Sequence, residues 1–212
     1  MRTPYEIQIA SGLSLACPAF VLDGLLVREN SPELQVEVET LCAELRQKNA
    51  DLNIGDVPGV QAVRATYRAL GIDPTRYRPS SEALLRRVLK GQALYRINTL
   101  VDALNLCSLR YMVPFGLYDL DAVRPPVTLR IGDEGEGYPG IRKEFVTVAG
   151  RYCLADSLGP FGNPSSDSDR TKITLTTARA LVASFLPIDT PPENVARILD
   201  GTAETLAKYS SR

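Results

Sequence analysis

The sequence predicts an α+β domain rather than a doubly wound parallel sheet. Strand-like runs alternate irregularly with helix-like runs instead of one for one. Hydrophobic residues fill 44% of the 212 positions, enough for a substantial core. The length suits one domain, or one domain with an appended lobe, and no internal repeat is visible. Residues 1–56 read as an N-terminal strand-helix lobe packed on a core domain of residues 57–212.

Residues 5–9 alternate in polarity and residues 19–27 are largely apolar, so both read as strands. Ser31-Pro32-Glu33 opens a helix with Pro at its first position. Its apolar stripe is Leu34, Val38, Leu41 and Leu45, and it runs to about Lys48. Residues 51–58 read as a polar connection. Residues 60–70 form a helix closed by Gly71, with Ala62, Ala65 and Ala69 making one side small. Ser80 or Ser81 is placed to accept from a free amide at the next helix start, and Glu82 sits in the first turn, where the dipole favours an acid. That helix ends at Gly91, and Glu82 can pair with Arg86 one turn on. A further helix starts near Asn98, with Leu100, Val101, Leu104 and Leu109 apolar.

After Pro125-Pro126, residues 127–131 read as a strand. Residues 134–140 are a glycine-rich loop without the G-K-[ST] ending of a phosphate loop. Residues 145–148 and 151–155 read as a hairpin through Ala149-Gly150. Residues 159–169 read as a flexible loop, and such loops often carry function. A short strand is predicted over 172–175 and a helix over 177–186, ended by Pro187. A last amphipathic helix over 191–209 turns Val195, Ile198, Leu199 and Leu206 inward.

Composition excludes several classes of function. No apolar run approaches the ~20 residues of a membrane span, and the start lacks the basic-then-apolar pattern of a secretory signal. Cys17, Cys42, Cys107 and Cys153 are scattered and there is no histidine, so neither a zinc site nor any other cofactor is expected. Scattered thiols fit the reducing cytoplasm. The absence of histidine also removes the usual general base at neutral pH. The net charge of −1 argues against a strongly basic nucleic-acid binder, and neither DNA nor a membrane is expected as partner. Residues 60–110 nevertheless hold 9 basic and 3 acidic residues. Arg78, Arg86, Arg87 and Arg96 belong to that excess, which is either a solvated helix face or a local patch for the phosphates of RNA.

The polar residues that look placed lie between Tyr77 and Asp121. Asn98, Asp102 and Asn105 recur at i, i+4 and i+7, so all three point to one side of a largely apolar helix. The row is either a buried network that holds a loop or a wall that faces a ligand.

The segment Ile97 to Asn105 followed by Pro114 to Asp119 resembles the B3/B4 domain of the phenylalanyl-tRNA synthetase beta subunit. The family pattern there is close to IN-x-x-VD-x-x-N, then P-x-H-x-[FY]-D, and the spacing fits without an insertion. Residues 81–88 resemble the helix that precedes the motif, and residues 127–131 with Glu136 resemble a strand that follows it. The likeness covers roughly residues 57–186. It implies a layered α+β fold with an unusual β-sandwich flanked by helices. It also implies a pocket drawn from Asn98, Asp102, Asn105, Gly116, Tyr118 and Asp119. In the synthetase the domain hydrolyses tyrosine wrongly attached to phenylalanine tRNA, so the likeness implies tRNA as partner.

Two functions stay open: an aminoacyl-tRNA deacylase working in trans as a free-standing protein, and a non-catalytic module that binds RNA or a small aminoacyl-like ligand. Leu104 stands where the family has Thr, Gly116 where it has His, and Thr176 near where it has the Glu that recognises the tyrosine hydroxyl. No residue is assigned a catalytic role. With no clustered metal ligands, a chelator should leave the melting temperature unchanged in thermal unfolding; a clear drop would show a structural metal.

Overall fold

The computed structural model describes residues 2–142 and 144–211. Among them, β1 (Thr3–Tyr5), β2 (Gln8–Ile9), β3 (Leu15–Ala16) and β4 (Ala19–Leu22) precede helix α1 (Pro32–Lys48). Helices α2 (Pro58–Ala69), α3 (Ser80–Leu89) and α4 (Thr99–Tyr111) follow. Then come β5 (Phe115–Asp119), β6 (Thr128–Ile131), β7 (Gly137–Tyr138), β8 (Val146–Thr147), β9 (Tyr152–Asp156), β10 (Gly159–Asn163) and β11 (Ser166–Asp167). Strands β12 (Ala180–Ser184) and β13 (Leu186–Pro187) lead to helix α5 (Pro192–Ser210). No helix is long and apolar enough to cross a membrane.

The helix ends follow local chemistry. Ser31 caps α1, its hydroxyl accepting from Leu34 N at 3.3 Å, with Pro32 in the first turn. Asn98 caps α4 by accepting from Val101 N at 3.0 Å. For α3 the cap is Pro79, whose fixed φ starts the helix, and neither Ser80 nor Ser81 caps it. The Ser80 amide is instead taken by Pro164 O at 2.8 Å. Gly71 and Gly91 follow α2 and α3 at φ +71° and +69°, where a side chain would be strained.

One sheet has the order β1-β4-β12-β5 and the other β11-β10-β9-β6-β2. All neighbours are antiparallel except β2 and β6. The two sheets enclose a core that includes Val21, Tyr118, Leu129, Leu154, Phe161 and Leu181. The other face of the four-stranded sheet carries Phe20, Leu22, Phe115, Leu117 and Val182 against helices α1, α3, α4 and α5. The result is a layered α+β fold, helices on sheet on sheet. Residues 2–56 interleave with the rest: β1 and β4 form half of the first sheet, β2 edges the second, and α1 packs on α3 and α4.

Several expectations change. Residues 177–186 are not a helix; they contain β12, paired with both β4 and β5. Every residue of β12 is buried, so it shows no polar alternation, and a short apolar run cannot be told from a helix by periodicity. Residues 145–155 are not a hairpin: β8 pairs with β7, while β9 lies between β6 and β10. The partner strand β7 falls in the predicted glycine-rich loop, because Tyr138 is buried there and donates to Ser166 O at 2.6 Å. Residues 159–169 are the ordered hairpin β10–β11, anchored by the fully buried Phe161 and by Asn163, whose side-chain oxygen accepts from Ser165 N and Ser166 N. Residues 172–175 join no sheet, since Thr174 N is taken by Thr177 Oγ1 at 3.0 Å. Residues 5–9 split between the two sheets, and the strand over 19–27 ends at Leu22, before Gly24 turns at φ +68°. A 3-10 turn over Ile54–Asp56 interrupts the connection 51–58.

The Tyr118 ring meets Phe161 edge-on, with centroids 4.8 Å apart. A Cβ at Gly116 or at Gly162 would collide with the Tyr118 hydroxyl. Gly116→Ala should therefore destabilise the fold by ~1–3 kcal/mol, as overpacking does. In urea unfolding, Tyr118→Phe should recover part of that loss; two additive substitutions would show that the hydroxyl is not the obstacle.

Candidate functional site

A cavity of about 400 Å³ opens beside α4 and β5. Val101, Leu104, Asn105 and Ser108 line it at i, i+3, i+4 and i+7, one stripe of α4. Phe115 and Leu117 supply the facing wall from alternate positions of β5. Ile141, Arg142, Asp167, Asp169, Lys172 and Ile173 close the other side, with Ser80 and Ile97 at the margins. The floor is apolar and the rim mixes both signs of charge. Such a site takes a ligand with an apolar group and a polar tail. Lys172 Nζ is 2.7 Å from Asp169. The Ser108 hydroxyl is committed to Val113 O at 2.6 Å. Ser80 Oγ is buried without a hydrogen-bond partner among the described residues.

Of the residues grouped by the motif, Asn105 lines this cavity. Asn98 is the buried cap of α4, and Asp102, also buried, accepts from Ile97 N at 3.0 Å. Asp102 thus fixes Ile97 at the cavity margin without lining the cavity itself. Gly116 and Tyr118 lie on the opposite face of β5, toward the second sheet. Asp119 accepts from Thr177 Oγ1 at 2.7 Å and from Asp121 N at 3.0 Å. Thr176 is exposed and its hydroxyl bonds that of Thr174 at 2.9 Å. Helical spacing aligned Asn98, Asp102 and Asn105, but a helix cap and a bond back to the preceding loop draw the first two away.

The four arginines assigned to RNA are placed as follows. Arg78 and Arg86 lie 3.5 and 2.9 Å from Glu82, whose side chain is 1% exposed. Arg64 binds the same carboxylate through two nitrogens, at 2.8 and 2.6 Å. Burial pushes the Glu82 carboxyl up, but the bonds from Arg64 and Arg86 outweigh it and hold the group below the usual range. The stability it contributes is present above the ordinary carboxylate range and lost as pH falls through its folded value. Arg87 donates to Ala93 O and to the Tyr95 hydroxyl, and covers the Tyr95 ring at 4.0 Å. Arg96 pairs with Glu39 at 3.5 Å on the surface.

Motif spacing missed Arg142, Asp167, Asp169, Lys172 and Ile173. The available signal was the polar stretch 159–169 read as a functional loop, since Asp167 and Asp169 fall within it. Among the described residues no group of His, Cys, Asp or Glu could hold a metal ion.

Burial raises the Asp102 carboxyl to about 6, against the lowering effect of the Ile97 amide. The folded protein therefore binds an extra proton between the ordinary aspartate value and about 6, and stability falls as pH rises through that window. Asp102→Asn keeps an acceptor and removes the charge, so it should flatten this dependence and raise stability near neutral pH. Asp102→Ala orphans the Ile97 amide and should be ~1–3 kcal/mol less stable than the Asn variant. Urea unfolding across the window checks both; parallel curves for wild type and Asp102→Asn would contradict the assignment.

No curated protein matches this chain. A crystal structure of an N-terminal fragment of the phenylalanyl-tRNA synthetase beta-subunit from Pyrococcus horikoshii is similar at 15% identity and a TM-score of 0.46. The match covers 98% of this chain and 52% of that one, so the chain spans about half the length of the fragment. Residues 62–196 match the family described as the B3/4 domain, and that stretch is well over half of the sequence. The chain belongs to the B3/4 domain family.

Proposed function

We propose that this chain binds the aminoacylated 3′ end of a tRNA, with the amino-acid side chain in the cavity beside α4 and β5. The observation that carries the reading is the cavity itself: an apolar floor of Val101, Leu104, Phe115, Leu117 and Ile173 under a charged rim. A hydrophobic aminoacyl group fits the floor. Asp167 and Asp169 suit its ammonium group, and Arg142 and Lys172 suit the terminal phosphate. The family membership of residues 62–196 supports the same ligand class.

The reaction that follows is hydrolysis of the ester in trans. A water attacks the acyl carbon, and the ribose oxygen leaves with a proton. No histidine is needed if orientation supplies the rate. Asn105 and Ser80 are the groups on the cavity wall suited to orient that water. A second reading, binding without hydrolysis, is favoured by one observation: Asn98, Asp102 and Asp119 are each committed to structural bonds.

A panel of mischarged tRNAs separates the two. Hydrolysis predicts loss of acyl tRNA at catalytic protein concentrations, and binding alone predicts protection of the ester. Tyrosyl-tRNA should not be preferred over phenylalanyl-tRNA, because Leu104 lines the floor and neither Gly116 nor Thr176 reaches it. A strong tyrosyl preference would show that other groups recognise the phenol. Leu104→Trp, which fills the cavity, should weaken binding of an aminoacyl-adenosine amide by about tenfold or more; unchanged affinity would place the ligand elsewhere.

A further inference from the structure

A second depression of about 380 Å³ is lined by Arg76, Tyr77, Arg78, Phe145, Arg151 and Ser166 among others. The Tyr77 ring has a guanidinium on it from both Arg76, at 5.2 Å, and Arg151, at 4.2 Å. Among the described residues neither Arg76 nor Arg151 has an ion-pair partner. Arg78 shares Glu82 with Arg64 and Arg86, so three guanidinium groups face one carboxylate there. Phe145 is 59% exposed. A Cβ at Gly137 would collide with its ring, so Phe145 lies against the β7 backbone and leaves much of its surface open. The exposed Phe145 ring thus offers a stacking surface beside the positive charge of Arg76 and Arg151.

The groove and the cavity are lined by neighbouring stretches of chain. Ser166 lines the groove, and its neighbour Asp167 lines the cavity. Arg78 lines the groove, and Ser80, two residues on, lines the cavity. We infer that this groove binds single-stranded RNA, with Arg76, Arg78 and Arg151 on the phosphates and an unpaired base stacked on Phe145. The inference rests on the reading that the cavity takes the acyl end, because it supplies the path by which the strand would arrive there. Unpaired bases are required because a stacking platform reads a π-face that a duplex hides. It also moves the RNA contact away from Arg86, Arg87 and Arg96, which do not line the groove.

The test uses the full chain and a short fluorescent single-stranded RNA ending in CCA, without an amino acid, titrated at several salt concentrations. Arg76→Ala should lower the slope of log affinity against log salt by about 0.7. Phe145→Ala should weaken binding by roughly tenfold. Both residues are exposed, so the fold should survive, and Arg197→Ala on α5 controls for loss of one positive charge. Equal behaviour of all three variants, or duplex RNA bound as tightly as the single strand, would overturn the inference. An aminoacyl-adenosine amide, too short to reach the groove, reports the cavity separately. If it binds and the RNA does not, the groove is wrong and the cavity reading stands. If the RNA binds and the amide does not, the groove stands and the cavity reading fails.

Discussion

Strands β4, β12 and β5 of the four-stranded sheet are buried on both faces, and the rest of the structure follows from that constraint. In β12, Ala180 and Val182 face the helices while Leu181 and Ala183 face the second sheet. A strand with two apolar faces has nowhere to place a polar side chain at its centre. Polar chemistry is therefore confined to the margin, where α4 parts from β5. There the stripe Val101, Leu104, Asn105 and Ser108 meets Phe115 and Leu117 with space between them. The same two-sided burial explains Gly116: with Tyr118 filling the intersheet core, its hydroxyl occupies the place of a side chain at 116.

The margin is also where charge collects. Glu82 sits in the first turn of α3 and draws in Arg64 from α2 and Arg86 from α3. It ties α2 to α3 at a buried carboxylate, and truncating it would leave partly buried guanidinium groups unpaired. The Ser80 amide then joins this hub to the β10–β11 hairpin through Pro164 O. Cavity rim and arginine hub are thus one connected piece of structure. On the far side, Glu37 performs a similar service, receiving Arg110 from α4 and Lys208 and Tyr209 from α5. The Lys208 and Tyr209 bonds hold its carboxyl down to about 2.

Much of this fold is legible in the sequence. Helices α1, α2, α3 and α5 follow from apolar stripes that leave a polar face outside, whereas α4 is signalled by its start at Asn98 although nearly all of it is buried. Strand β12 was not legible, because its polar face does not exist. The hairpin β10–β11 was hidden by a composition of Gly, Pro, Ser, Asn and Asp, which gives no sign that Phe161 is fully buried or that Gly162 is small to admit Tyr118. Spacing placed Asn105 on α4, where it lines the cavity. It could not show that Asn98 would be spent as a cap, nor that Asp167, Asp169 and Lys172 would arrive from far along the chain. Convergence of distant segments is a tertiary fact with no local pattern.

The central claim is that the cavity beside α4 and β5 holds the aminoacyl group. Methyl-resolved NMR during titration with a non-hydrolysable aminoacyl-adenosine amide tests it most directly. The account predicts that Val101, Leu104, Leu117 and Ile173 shift first and saturate together, while Leu181 and Leu154 in the intersheet core stay fixed. Saturating shifts confined to other surfaces, with those four methyl groups unmoved, would contradict it.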